Sequence, residues 1–221
     1  LTQLISRAYT DKASHNVVCI RKQWLHVNSE GLIALSGAHH GDIGRALLEG
    51  HAEEAAELLN GWMALFAGSF YIELQRTGRP GEEEYIEAAV ALAQQHGCPV
   101  VATNDVRFLS ADDFEAHEVR VCINERRTLS DPRRSHNYSE QQYLRSPQEM
   151  LTLFADIPEA IENSVEIAKR CNLALELHKP HLPNYPIPEG QSTEGYFRQQ
   201  SRAGLERRLA ALAESGKTLS I

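Results

Sequence analysis

The chain has 221 residues, 42% of them hydrophobic and 24% charged, which suits one large globular domain or one domain with a short extension. No apolar stretch approaches the roughly 20 residues that cross a bilayer as a helix, so a helical membrane protein is not expected. A formal charge of −8 argues against autonomous nucleic-acid binding, which needs local cations against phosphate. The four cysteines (Cys19, Cys98, Cys122, Cys171) form no CxxC pair and read as reduced, mostly packed thiols of an intracellular protein.

In chain order, Leu1, Leu4, Ile5 and Ala8 read as the opening of an amphipathic helix, and no signal peptide is expected. Residues 31–35 read as a strand, 42–49 as a helix, and 52–66 as a second helix with an acidic face at Glu53, Glu54 and Glu57. Residues 70–74 form the next strand. The spacing of Tyr85, Ile86, Ala89, Leu92 and Ala93 predicts a helix over 82–96, and its Glu82-Glu83-Glu84 start complements the helix dipole. Val100 to Thr103 is a short apolar run bounded by Gly97 and Pro99 on one side and by Asn104 and Asp105 on the other, the pattern of a strand buried on both faces. A helix follows from near Ala111. Strand alternating with helix implies parallel strands, in an open sheet or a barrel.

The second half differs. Residues 128–138 form a polar loop, and Ser146-Pro147-Gln148-Glu149 is a capping box with proline at the first helical position. Another helix opens at Ile157-Pro158, with Ile161, Val165 and Ala168 on one face. Four prolines between His178 and Gly190 make that stretch an extended linker. Ser192 or Thr193 caps a last helix towards Leu212. Both ends read as cut, so a piece of a longer cytoplasmic protein is expected.

If the strands are parallel neighbours, their C-terminal ends deliver Ser36 to His40, Glu73 to Gly78, and Asn104 to Arg107 to one rim, where α/β folds place ligand chemistry. An Asp-x-His pair at the third end would give two adjacent metal ligands. Here Asp105 is followed by Arg107, a permanent cation that cannot ligate a metal. A two-metal hydrolase needs several carboxylates and imidazoles around ions ~4 Å apart, and this segment supplies one carboxylate. Asp105 is therefore at most a vestigial ligand. Asp105 and Arg107 read as an ion pair or a phosphate grip, with His39 and Arg76 as further rim or phosphate residues. One of His39 and His40 should be exposed. His117 reads as a satisfied structural histidine, and Glu73 as facing either rim or solvent. The loop arginines Arg126, Arg127, Arg133 and Arg134 form a basic patch that could meet DNA or a partner, with solvated loop charge the blander reading. No Ser/His/Asp or Cys/His set and no Gly-rich phosphate loop is found.

These residues also carry a resemblance. The runs 70–78 (FYIELQRTG), 101–108 (VATNDVRF), 116–123 (AHEVRVCI), 31–37 (GLIALSG), 153–160 (LFADIPEA) and 166–172 (EIAKRCN) resemble, in order and spacing, the α subunits of bacterial replicative DNA polymerase III. The resemblance implies most of a polymerase-and-histidinol-phosphatase (PHP) domain: an α/β, TIM-like, distorted seven-stranded βα barrel, incomplete at its N-terminus. Residues 1–178 would be PHP, 179–191 a linker, and 192–221 a helical start of the polymerase core. Metal-binding members place Cys or His where Ala38 stands and Asp-x-His where Asp105 and Arg107 stand. The resemblance is thus to the branch with a degraded metal site: no catalytic residue, metal or cofactor in this segment, and Mg2+ only at the parent's polymerase site. Implied partners are the proofreading exonuclease subunit, other replicase subunits and, through the parent, DNA, with no membrane. The rival is a working metal-dependent PHP phosphoesterase or 3′–5′ exonuclease; a small-molecule-binding barrel unrelated to replication is a third reading.

Overall fold

A computed structural model describes residues 1–11, 18–174, 176–180 and 185–214. They fall into two compact units, Leu1–Asn172 and Leu173–Ile221. None of the helices is long and apolar enough to cross a membrane, among the described residues.

The first unit begins with α1 (Thr2–Thr10) and α2 (Lys22–Asn28). Leu4, Ala8 and Trp24 make a small core of their own, with Leu25 and Leu32 against it, and the Arg7 guanidinium lies 4.3 Å from the Trp24 ring centroid. Sequence periodicity missed α2, because seven residues without a side-chain cap carry no repeated apolar stripe. It found α1, although Leu1 and Ile5 of the proposed stripe are exposed.

The sheet holds β1 (Ala34–Leu35), β2 (Phe70–Gln75) and β3 (Val100–Thr103), all parallel, in the order β1-β2-β3. Ala34 pairs with Phe70, and Ile72 with Val100, so the three C-terminal ends do share one rim. β2 is the central strand and is buried almost throughout, as parallel strands are when both faces are covered. Between β1 and β2 run a 3₁₀ turn (Ala38–His40), α3 (Asp42–Leu48) and α4 (Ala52–Leu65); α5 (Glu82–His96) joins β2 to β3. Ile43, Ala55, Leu59, Ile72, Leu74, Tyr85 and Ala89 form the centre of the main core. α5 ends where Gly97 turns left-handed at φ 65°, a conformation that favours glycine, and its N–H returns to Ala93 O.

After a second 3₁₀ turn (Ala111–Asp113) come α6 (Phe114–Glu125), α7 (Pro147–Leu153) and α8 (Pro158–Arg170). The expected capping box at α7 forms: Ser146 Oγ accepts from Glu149 N, and Ser146 N donates to the Glu149 carboxylate at 2.8 Å. α8 packs on the sheet through Ala160 and Asn163, whose Nδ2 donates to Val100 O at 2.8 Å. Val165, expected on the packed face, is exposed. Arginines bolt this helical pair to β2. Arg76 reaches Asp156 and Leu153 O beyond the strand's C-terminal end, and Arg170 reaches the Tyr71 hydroxyl and Ser69 at the other.

In the second unit, residues 185–190 carry no helix or strand and α9 (Thr193–Glu214) is capped by Ser192, whose Oγ accepts from Gly195 N. Part of the expected linker, residues 181–184, lies outside the described residues, as does 215–221.

Close packing at the rim depends on Gly44. A Cβ there would sit 2.1 Å from Ala38 O and 2.7 Å from His39 Cα. Gly44→Ala is therefore expected to destabilise the fold by about 2 kcal/mol through overpacking, against the ~1 kcal/mol gain alanine normally gives a helix. Urea unfolding measures this; an unchanged or raised midpoint would remove close approach as the reason for the glycine.

Candidate functional site

The rim is assembled from the turns that leave the three strands. Ala38 (φ 49°) and Asp105 (φ 42°) both adopt left-handed backbone, uncommon for non-glycine residues and typical of ligand-bearing turns. Asp105 lies at its centre. One carboxylate oxygen meets Arg107 Nη2 at 2.7 Å; the other meets Arg79 Nη1 at 3.1 Å and accepts from Gln142 Nε2 at 2.8 Å. Gln142 is fully buried and its own carbonyl accepts from Arg107 N. The expected Asp105–Arg107 ion pair is thus present, and a second guanidinium joins it.

Arg79 and Glu82 form the buried floor of this cluster. The Arg79 side chain is 9% exposed and donates from Nε to Glu82 Oε1 at 3.1 Å and from Nη2 to Gln75 Oε1 at 2.8 Å. Glu82 also accepts from Thr77 N and Thr77 Oγ1, each at 2.6 Å. Gln75 donates to Glu73 and Thr103, and Thr103 Oγ1 donates to Glu73 Oε1 at 2.6 Å. Glu73 therefore turns to the interior network. Tyr85 OH completes the layer by donating to Glu73 O, and burial pushes its phenol upward.

His39 is buried and His40 exposed, as expected for one of the pair, yet their ring centroids are only 3.9 Å apart. His39 Nδ1 is buried without a hydrogen-bond partner. Burial, with the charges of His40 and Arg79, holds this imidazole below its ordinary value of 6.5. The His40 ring nitrogen Nε2 lies 3.5 Å from Arg79 Nη1.

Arg76, expected at the rim, is elsewhere. Its guanidinium bonds Asp156 at 2.6 and 2.8 Å and Glu83 at 3.0 Å, and lies over the Phe154 ring. Facing carboxylates and not the strand ends, it has no donor left for a phosphate. The side chain one position past a strand leaves on the opposite face from its neighbour, which sequence alone does not reveal when the strand stops at Gln75.

The loop arginines are mostly spent internally. Arg127 and Arg133 share Asp131, Arg134 pairs with buried Glu118, and Arg126 remains exposed at the end of α6. His117 packs between Phe108 and Tyr138, but its Nε2 is buried without a partner, so it is not the satisfied histidine expected. Burial holds it low as well. Arg107 lies over Tyr138 at 5.4 Å.

The sequence reading missed Arg79, Glu82 and Gln142. Glu82 read only as part of an acidic helix start that complements the dipole. Gln142 sits in an irregular loop with no periodicity to place it. The one available signal was the Gly78-Arg79-Pro80-Gly81 run between a strand end and a helix, whose glycines and proline mark a turn that can carry Arg79 back to the rim.

Chemically, the rim is a charge-compensated polar network. Among the described residues, no three or more His, Cys, Asp or Glu side chains converge as they would around a metal ion. The depressed histidines give the unfolded chain the greater proton affinity, so stability is expected to fall as pH drops through 6.5 and below. His39→Gln should flatten that slope between about pH 7.5 and about 5.5, read from urea midpoints; a slope equal to the parent's would place its origin elsewhere.

Residues 1–77 match the PHP domain family. Nearly the whole chain aligns with proteins called DNA polymerase III subunit alpha. Identity is 54% with that of Pseudomonas fluorescens, over 99% of this chain and 19% of that protein. It is 53% with that of Pseudomonas aeruginosa and 50% with that of Escherichia coli, each over 96% of this chain and 18% of the relative. The chain spans about a fifth of the length of these curated relatives. Over the segment it spans, the chain is similar to the DNA polymerase III alpha subunits at 50–54% identity, and it carries PHP-domain sequence at residues 1–77.

Proposed function

We propose that this chain is the PHP module of a replicative DNA polymerase alpha subunit, and that the module is a scaffold and not a phosphoesterase. The observation that carries the reading is the enclosure of Asp105. Its two oxygens are taken by Arg107, Arg79 and Gln142, so the one carboxylate expected to serve a metal already has two cations and an amide. A hydrolase of this class would need a cluster of anionic and imidazole ligands open to the ions and the substrate phosphate. The PHP family implies such metals; the donor set of this rim does not fit them.

In this reading the three parallel strands, with β1 at an edge, belong to a distorted seven-stranded βα barrel completed by further polypeptide. Residues 1–178 are its PHP part, 179–191 a proline-rich linker and 192–221 the approach to the polymerase core. Nucleotidyl transfer and its Mg2+ belong to that core, as do the contacts with DNA, in the cytoplasm. The module supports the core and offers surface to the replicase subunits, the proofreading exonuclease among them.

The test uses the full chain incubated with Mn2+ or Zn2+, then dialysed. Bound metal is measured by plasma spectrometry, alongside release of nitrophenol from an aryl phosphate and of nucleotides from single-stranded DNA. Substoichiometric metal and no turnover are expected. Two or more ions per chain with metal-dependent hydrolysis would establish the rival, a working PHP phosphoesterase or exonuclease.

A further inference from the structure

We propose that the rim is a guanidinium-binding site filled from within by Arg79, and not a metal site that has merely lost its ion. The inference deepens the scaffold reading and rests on it.

Each edge of the Arg79 fork meets a different acceptor from a different segment. Nε meets Glu82 at the start of α5, Nη1 meets Asp105 after β3, and Nη2 meets Gln75 at the end of β2. Three acceptors, at 3.1, 3.1 and 2.8 Å, take three separate nitrogens of one planar group. A metal would instead draw its oxygens to within about 2.0–2.2 Å of one point. A neutral carboxamide is an ordinary acceptor for a guanidinium and a poor choice where ionic charge must be met.

The cradle is held in shape by bonds that do not involve Arg79. Thr77 N and Oγ1 fix Glu82, Gln142 Nε2 fixes Asp105, and Gln75 is pinned through its own amide to Glu73 and Thr103. Such outer contacts set the direction of each acceptor before the cation arrives. Burial then makes the cation obligatory: Glu82 is 3% exposed, and a carboxylate so placed needs a partner. Arg79 is the positioning residue that supplies it, tying the ends of β2 and β3 and the start of α5 to one charge.

The experiment is thermal unfolding of the full chain carrying Arg79→Ala, with and without methylguanidinium at about 20 mM, well below denaturing levels, and with Mn2+ or Zn2+ in its place. The variant should melt about 10 °C lower. Methylguanidinium should restore at least half of the loss, saturably, while leaving the parent chain unchanged; the divalent ions should not. Arg79→Lys, which keeps the charge and loses the fork, should fall between and gain little from the additive. Should Arg79→Ala fail to fold, the parent chain still decides. The 15N-edited spectrum should contain a slowly exchanging arginine Nε–H that disappears in Arg79→Lys, and exchange as fast as in free arginine would overturn the proposal. Stoichiometric divalent metal on the parent chain would sink the scaffold reading itself. A metal-free parent whose alanine variant melts normally, or is restored by divalent ions, or by neither additive, would sink only the guanidinium site.

Discussion

Glu82 and Asp105 are carboxylates drawn towards the protein interior from two different segments, and between them lies the guanidinium of Arg79. Taking such charges out of water costs several kcal/mol per ion, and the cost is met only when each lone pair and each N–H finds a partner. Here the partners come from every element that reaches the rim: Thr77 and Gln75 from the end of β2, Gln142 from the late loop, Arg107 from beyond β3. The turns after β2 and β3 and the first turn of α5 are therefore interdependent. This also explains why Asp105 can hold a left-handed backbone: side-chain bonds on both carboxylate oxygens, and Gln142 on its carbonyl, over-determine its conformation.

Much of the fold was legible because its strongest signals were local. The apolar run Val100 to Thr103 and the stripe Tyr85 to Ala93 gave β3 and α5 with their observed limits. Gly97 supplied a stop between them, and Ser146 with Glu149 marked a helix start by chemistry and not periodicity. Where the reading failed, tertiary context had overridden pattern. α2 is short and uncapped, and owes its place to Trp24 under Arg7. Val165 fits the helical spacing of α8 but faces outward, since Ala160 and Asn163 make the contacts with the sheet.

The site was legible only in part, for a physical reason. Parallel order brought the three strand ends together, as alternation of strand and helix implied, and Asp105 with Arg107 paired as their spacing suggested. Which arginine turns inward is decided by one residue of strand length and by the geometry of a turn. Arg76, expected at the rim, goes instead to Asp156 and Glu83, and Arg79, to which the sequence assigned no role, takes the rim position. Gln142, 63 residues and several elements after Arg79, has no local signature at all.

The two arginines at opposite ends of β2 have a mechanical corollary. Arg76 and Arg170 fasten the α7–α8 hairpin along the length of the central strand, with Asn163 bonded to the neighbouring β3 midway. A load applied to that hairpin by anything attached to it is shared along the strand and does not peel one end first. The pair is held at both ends and at one point between, so a force on α8 is taken up by three contacts on two strands and not by one.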